Sequence, residues 1–223
     1  GMFMLGCLLI PAVLAAQEFS YVHYDTKDGL AGSTVYNMCQ DKDGFLWFAT
    51  ENGLSRYDGT HFKNFTVKDG LPDNEVLKVF TDSKGRVWIG TFSKEICFYF
   101  NGKIHTREND SLVKKIKLSA SLYSIAEDNF HYLGMSDNSS AIIITPSDSV
   151  IMYNLNHLYT KEHLYGGKIT KHYGKLLLGS ENEESFEYNP GTWAWNRTDV
   201  FEKGLKSGTR IKMDSFARDV KAT

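Results

Sequence analysis

Apolar and polar residues follow one another along this chain in short blocks. From Asp41 to Gly59 the sequence DKDGFLWFATENGLSRYDG holds a polar turn, an apolar run, an Asn-Gly step, a mixed run and an Asp-Gly turn. Blocks of this length, bounded by Gly, Asn and Asp, predict short strands and tight hairpins. Gly accepts positive φ without steric cost, and Asn-Gly or Asp-Gly steps match the twist of a two-residue turn. Four strands follow: VYNMCQ from Val35, FLWFAT from Phe45, LSRYD from Leu54 and HFKNFTV from His61. Apolar character falls from the inner strands to the last, which predicts inner strands covered on both faces and an outer strand that meets water. A helix needs apolar positions three and four apart. The spacing of Phe62 and Phe65 across Lys63 and Asn64, with the many Gly breaks, does not sustain one.

The block pattern recurs. DGLAGSTVYNMCQDKDGFLWFAT, from Asp28, lies over DGLPDNEVLKVFTDSKGRVWIGT, from Asp69, at a constant offset of 41 residues with eight identities. These are Asp28/Asp69, Gly29/Gly70, Leu30/Leu71, Val35/Val76, Asp41/Asp82, Gly44/Gly85, Trp47/Trp88 and Thr50/Thr91. Two worn copies come after them. Tyr132-Leu133-Gly134 stands in place of Trp88-Ile89-Gly90, and Leu177-Leu178-Gly179-Ser180 does so again; a fifth copy opens at Gly204. Periods of about 40 to 50 residues with several short strands each are those of propeller blades. The expected fold is therefore all-β: a β-propeller of four-stranded antiparallel blades, incomplete at four blades and a fraction. The blades fall near 28–66, 69–107, 112–155 and 157–199, with a further one starting at 204, all within 17–223. Trp47 and Trp88 are read as wedges between blades, each burying roughly 200 Å², or about 5 kcal/mol before entropy.

Composition narrows the function. The chain has 223 residues, 42% apolar and 13% aromatic, enough for a sizeable core. Its 25 basic and 27 acidic residues leave a formal charge of −2, with no field to attract phosphate backbones. Nucleic acid is excluded as a partner. The densest cationic stretch, LVKKIKL around Lys114, Lys115 and Lys117, reads as a solvated strand face. Residues 1–16 are different: MFMLGCLLIPAVLAA carries no charge and ends in small residues, as a secretory signal does. That run is short of the roughly 20 residues needed to span a bilayer, and Pro11 interrupts it. Cys39 and Cys97 have no C-x-x-C partner and read as small core residues.

The pattern DGL…V…D..G.LW..T.NGL.RYDG, carried by Asp28 to Gly59, resembles the two-component regulator propeller repeat of the exported sensor regions of bacterial hybrid two-component systems. The resemblance covers Asp28 to Gly102 well and the remainder faintly. It implies a periplasmic ligand-sensing region whose full-length relatives continue through a β-sandwich and a membrane span to a histidine kinase, many of them responding to oligosaccharides. Such relatives build propellers of about seven blades, roughly 300 residues at this period. Four blades and a fraction thus mark the chain as an expected fragment. FSYVHYDT, from Phe19, resembles the rim strand of a preceding blade. An open ring exposes a strand edge and an apolar blade face, so self-association is expected.

Catalytic motifs are missing: the seven His residues show no H-E-x-x-H spacing, and there is no G-x-S-x-G or P-loop. Asp41, Asp43 and Gly44 resemble the start of a calcium loop, but the next copy has Asp82, Lys84 and Gly85, so a structural turn is the reading. No catalytic residue, metal site or cofactor is expected, and no kinase domain has room. Loops between second and third strands and those between blades share one face of the disc, which nominates Glu51, Asn52, Asp73, Asn74, Ser93 and Lys94 for ligand contact. Trp193 and Trp195, two apart in GTWAWNR, share one side of a strand and suggest a stacking platform for a sugar ring, or else inter-blade core. A non-catalytic oligosaccharide sensor, acting with downstream domains of the same polypeptide, is the leading reading. A propeller-type lyase or glycosidase and a protein-interaction scaffold are the alternatives.

Overall fold

The computed structural model describes residues 22–137, 139–155, 167–179 and 185–198. The expected export segment, residues 19–21 and the fifth copy from Gly204 lie outside them. Four sheets, each of four antiparallel strands paired in chain order, account for nearly all regular structure described. Blade 1 holds β1 (Val35–Gln40), β2 (Leu46–Thr50), β3 (Gly53–Tyr57) and β4 (Phe62–Phe65). Blade 2 holds β5 (Val76–Thr81), β6 (Val87–Thr91), β7 (Ile96–Phe100) and β8 (Lys103–His105). Blade 3 holds β9 (Ser124–Glu127), β10 (Leu133–Ser136), β11 (Ser140–Ile144) and β12 (Val150–Asn154). Blade 4 holds β13 (Lys168–His172), β14 (Lys175–Gly179), β15 (Ser185–Asn189) and β16 (Ala194–Thr198). The sheets form an arc that does not close, an incomplete propeller.

The turn chemistry sets this geometry. Asp41 N–H donates to the Phe45 carbonyl, Asp82 to that of Arg86 and Asp128 to that of Tyr132, so the first three blades share one hairpin between first and second strands. At the next turn Gly53 has φ 144°, and a Cβ there would stand 2.7 Å from the Phe65 carbonyl oxygen. Only glycine fits that approach.

Three seams form the core. Trp47, Ala49, Leu54 and Phe65 of blade 1 meet Val76, Val79, Ile89 and Cys97 of blade 2. Trp88, Ile96 and Phe98 of blade 2 meet Leu133, Met135, Ile142 and Ile144 of blade 3. Ala126, Ile143 and Tyr153 of blade 3 meet Ile169, Leu176, Phe186 and Trp195 of blade 4. Covered on both sides, β6 and β10 are buried at every position. In β2, by contrast, Leu46 and Phe48 stay half-buried, because they point away from blade 2.

Three local expectations are corrected. LVKKIKL is not a strand: Ser111–Lys115 is one helical turn, α1, whose N-terminal N–H groups at Leu112 and Val113 are accepted by the Asp110 carboxylate. Leu112, Val113 and Ile116 plug the second seam, so burial of a short apolar turn overrides the strand-like pattern. In the third copy, Leu133 and Gly134 pair with Glu127 and Ala126 as Val87 and Trp88 pair with Thr81 and Phe80. Gly134 therefore holds the place of Trp88, two residues from where the Leu-Gly match put it. Finally, residues 22–25 form no strand; Tyr24 instead lays its ring 5.1 Å from that of Tyr57 and 5.7 Å from that of Phe62.

Candidate functional site

Strand order fixes two faces. Loops between second and third strands, and the connections entering each blade, lie on one face; hairpins between first and second and between third and fourth strands lie on the other. Glu51, Asn52, Asp73, Asn74, Ser93 and Lys94 all fall on the first face, as their positions predict.

Several of them are committed to the fold. Glu51 accepts from the Ser33 N–H at 2.9 Å, the Ser33 hydroxyl at 3.1 Å and the Thr34 N–H at 2.8 Å, which ties down the connection entering blade 1. Desolvation would raise its carboxyl, but N–H groups of Glu51 itself, Thr34 and Ser33 hold it below the usual value. Asp73 accepts from the Glu75 N–H, and Asn74 from the Val67 N–H at the start of a capped 3-10 turn, Val67–Asp69. Ser93 Oγ lies 3.0 Å from Thr91 Oγ1, and Lys94 turns the chain at φ 68°. Asn52 donates its backbone N–H to Thr50 Oγ1 and leaves its side chain exposed.

The tryptophan pair is not a platform. Trp195 is fully buried in the third seam, while Trp193 sits in the β15–β16 turn at φ 52°, 49% exposed. A left-handed turn residue rotates the backbone, so spacing two does not put the rings on one side. Trp193 also belongs to the opposite face from the other nominated residues.

What the residue-by-residue reading missed on the first face is aromatic. Tyr36, Phe92 and Tyr123 are exposed there, one from each of blades 1 to 3. Tyr36 Oη donates to Glu75 Oε1 at 3.0 Å, and that carboxylate raises the phenol. The signal was present at the 41-residue offset, where Phe92 answers to Glu51. Beside this face a cleft of ≈ 880 Å³ opens between the rims of blades 1 and 2, with Phe65, Leu71 and Ile104 in its lining beside Lys63, Glu95 and Arg107. Its charges are balanced, and Arg107 already faces Glu95 at 3.8 Å.

On the other face, Asp41 is committed to its own hairpin. Oδ1 accepts from the N–H groups of Asp43 and Phe45, and Oδ2 from Trp47 Nε1 at 2.7 Å. Among the described residues no three His, Cys, Asp or Glu side chains group to hold a metal, and no helix is long and apolar enough to cross a membrane.

The family model described as "Two component regulator propeller" matches residues 29–52 and 70–93, so the chain carries two of these repeats. No curated protein matches it. Among solved structures, the extracellular domain of the hybrid two component system BT3049 from B. thetaiotaomicron is similar at 21% identity, with a TM-score of 0.59. The match covers 74% of this chain and 23% of that one. The extracellular domain of the B. thetaiotaomicron one component system BT4673 aligns at 19% identity over 81% of this chain and 23% of that one, TM-score 0.55. The WD40 β-propeller domain of Doa1 aligns at 12% identity over 73% and 53%, TM-score 0.52. These likenesses establish the propeller fold. The chain spans under a quarter of the two extracellular domains it resembles.

Proposed function

We propose that this chain is part of the ligand-sensing region of an extracytoplasmic receptor of the two-component type, performs no reaction itself, and recognises oligosaccharides on the face of its inter-blade loops. The observation that carries the reading is the pair of two component regulator propeller repeats at 29–52 and 70–93, set in a fold shared with extracellular domains of bacterial sensors. The described carboxylates support a non-catalytic role. Asp41, Asp82, Asp128 and Asp137 all accept backbone N–H groups of their own loops, an occupation that suits a hairpin anchor better than the free acid-base pair of a glycosidase. Signal output belongs to further domains of a longer polypeptide. Isothermal titration of the purified chain against a panel of plant and host oligosaccharides tests the proposal: saturable heat without turnover supports it. Release of new reducing ends would instead favour a lyase or glycosidase.

A further inference from the structure

One position departs from the logic of its own repeat. The residue that follows the second strand is Glu51 in blade 1, Phe92 in blade 2 and Asp137 in blade 3; the first two are equivalent at the 41-residue offset, whereas Asp137, counted from the hairpin that puts Gly134 at the place of Trp88, stands one residue earlier, because blade 3 lacks the bulges at Val35/Asn37 and Val76/Lys78. In blades 1 and 3 it is a carboxylate that anchors the preceding connection. Asp137 accepts from the Ser119 N–H at 2.6 Å, its hydroxyl at 2.9 Å and the Ala120 N–H at 3.3 Å, matching what Glu51 does with Ser33 and Thr34. Phe92 cannot do this. Phe92 meets its connection through backbone alone, its N–H donating to the Glu75 carbonyl at 2.9 Å, and its ring is left 59% exposed.

Hydrogen bonds connect the backbone beside that ring to the surroundings of two other exposed aromatics. The Glu75 carboxylate accepts from Tyr36 of blade 1, which is 42% exposed. On the other side the Phe92 carbonyl accepts from Ser121 Oγ at 2.9 Å, two residues before Tyr123, which is 43% exposed and bonded through its N–H to the Ser136 carbonyl. Hydrogen bonds therefore link the three residues across blades 1, 2 and 3, Tyr36 through its hydroxyl and the other two through backbone groups, while each side chain stays exposed. Exposed aromatics on rigid strand ends offer flat apolar area at little conformational cost, with polar groups alongside to orient what lies on them.

We propose that Tyr36, Phe92 and Tyr123 form a stacking ledge for an uncharged oligosaccharide. A pyranose ring presents a flat C–H face to an aromatic ring and hydroxyls at its rim, where the Glu75 carboxylate can accept. The negative charges of Glu75 and Glu51 repel a uronic or sulfated sugar, which sets the charge preference. This rests on the sensing role proposed above and assigns its site.

The test is titration of the full chain with neutral xylo-, manno- and galacto-oligosaccharides and, as the charged probe, oligogalacturonate. Parallel titrations use Phe92→Ala, Tyr123→Ala and Phe92→Glu, the last of which keeps the fold by supplying the anchor seen in blade 1. The expected result is binding of at least one neutral probe, weakened about tenfold or more in each variant at unchanged melting temperature, with no heat from oligogalacturonate. Neutral-probe binding untouched by all three variants, or binding of oligogalacturonate alone, overturns the ledge and leaves the sensing role standing. Silence from every probe overturns both.

Discussion

Trp47 and Trp88 each drive an indole into the seam beyond their blade and donate the ring N–H to an aspartate six residues earlier, at 2.7 and 2.8 Å. The second pair is the tighter assembly, because Asp82 also accepts from Arg86 Nε at 2.6 Å and Arg86 reaches Asp148 of blade 3 at 2.8 Å. Removing Asp82 leaves a buried indole N–H without its acceptor and a buried guanidinium with Asp148 alone. Asp82→Ala should cost about 3 kcal/mol of unfolding free energy, against about 1 kcal/mol for Asp41→Ala, as read by urea denaturation. Asp128 closes the third hairpin without a tryptophan, and burial pushes its carboxyl up despite the N–H groups of Tyr132 and Phe130. A folded pKa above the unfolded one means that the contribution is greatest in the protonated form. It declines as pH rises from about 4 towards the folded value. Asp128→Asn, which keeps the acceptor, should therefore gain stability relative to the wild type between pH 4 and pH 7, measured by denaturation at both. Asp137 and Asp148 work the other way. Burial would raise each, but N–H groups hold Asp137 down, and Lys84 and Arg86 hold Asp148 down, so their contribution is lost as pH falls below the ordinary aspartate range. The aspartates were legible as turn residues; that two of them also hold an indole depends on ring placement in the seam.

At the scale of the element, the second strand of each blade is the one most constrained by its neighbours. Gly90 and Gly134 face the following blade, where an added Cβ would stand 2.8 Å from Leu122 Cβ and 2.9 Å from Ile169 Cγ2. Overpacking at either site should cost about 1–3 kcal/mol; thermal melts of Gly90→Ala and Gly134→Ala check it, with an unchanged midpoint counting against the tight seam. Blade 3 needs Gly134 at the tryptophan position because Ile169 and Leu176 of blade 4 fill the space, and the indole of that seam comes from β16 as Trp195. Strand boundaries in blade 1 were legible almost to the residue, since Asp-Gly and Asn-Gly steps mark every turn. The third register was not, because Leu-Gly recurs two residues early and only the hairpin hydrogen bonds show it. For the same reason the anchoring that Asp137 shares with Glu51 could not be read.

At the scale of the molecule, one side of blade 1 is only partly covered among the described residues. Met38 of β1, 54% exposed, and the half-buried Phe48 and Phe62 point away from blade 2, on a surface equivalent to those that β6 and β10 bury entirely. Apolar sheet faces of this kind are covered when chains meet. The chain by itself should associate in a concentration-dependent way in sedimentation velocity. Met38→Lys should shift it towards monomer, whereas a wild-type monomer at every concentration would show that the face tolerates water.

The sequence by itself determined the repeat, the four strands of each blade and the all-β class, because these follow from local turn chemistry and apolar runs that recur at a fixed offset. It also nominated one face of the disc, since strand order alone decides which loops share a side. Tertiary structure alone decided what each nominated residue does. It spent Glu51 on the entry connection, sent Trp195 into a seam and Trp193 to the far face, and left Phe92 exposed on the same face as Tyr36 and Tyr123. Those outcomes depend on contacts between separate segments of the chain and on backbone rotation at single turn residues, which no apolar pattern along one stretch records.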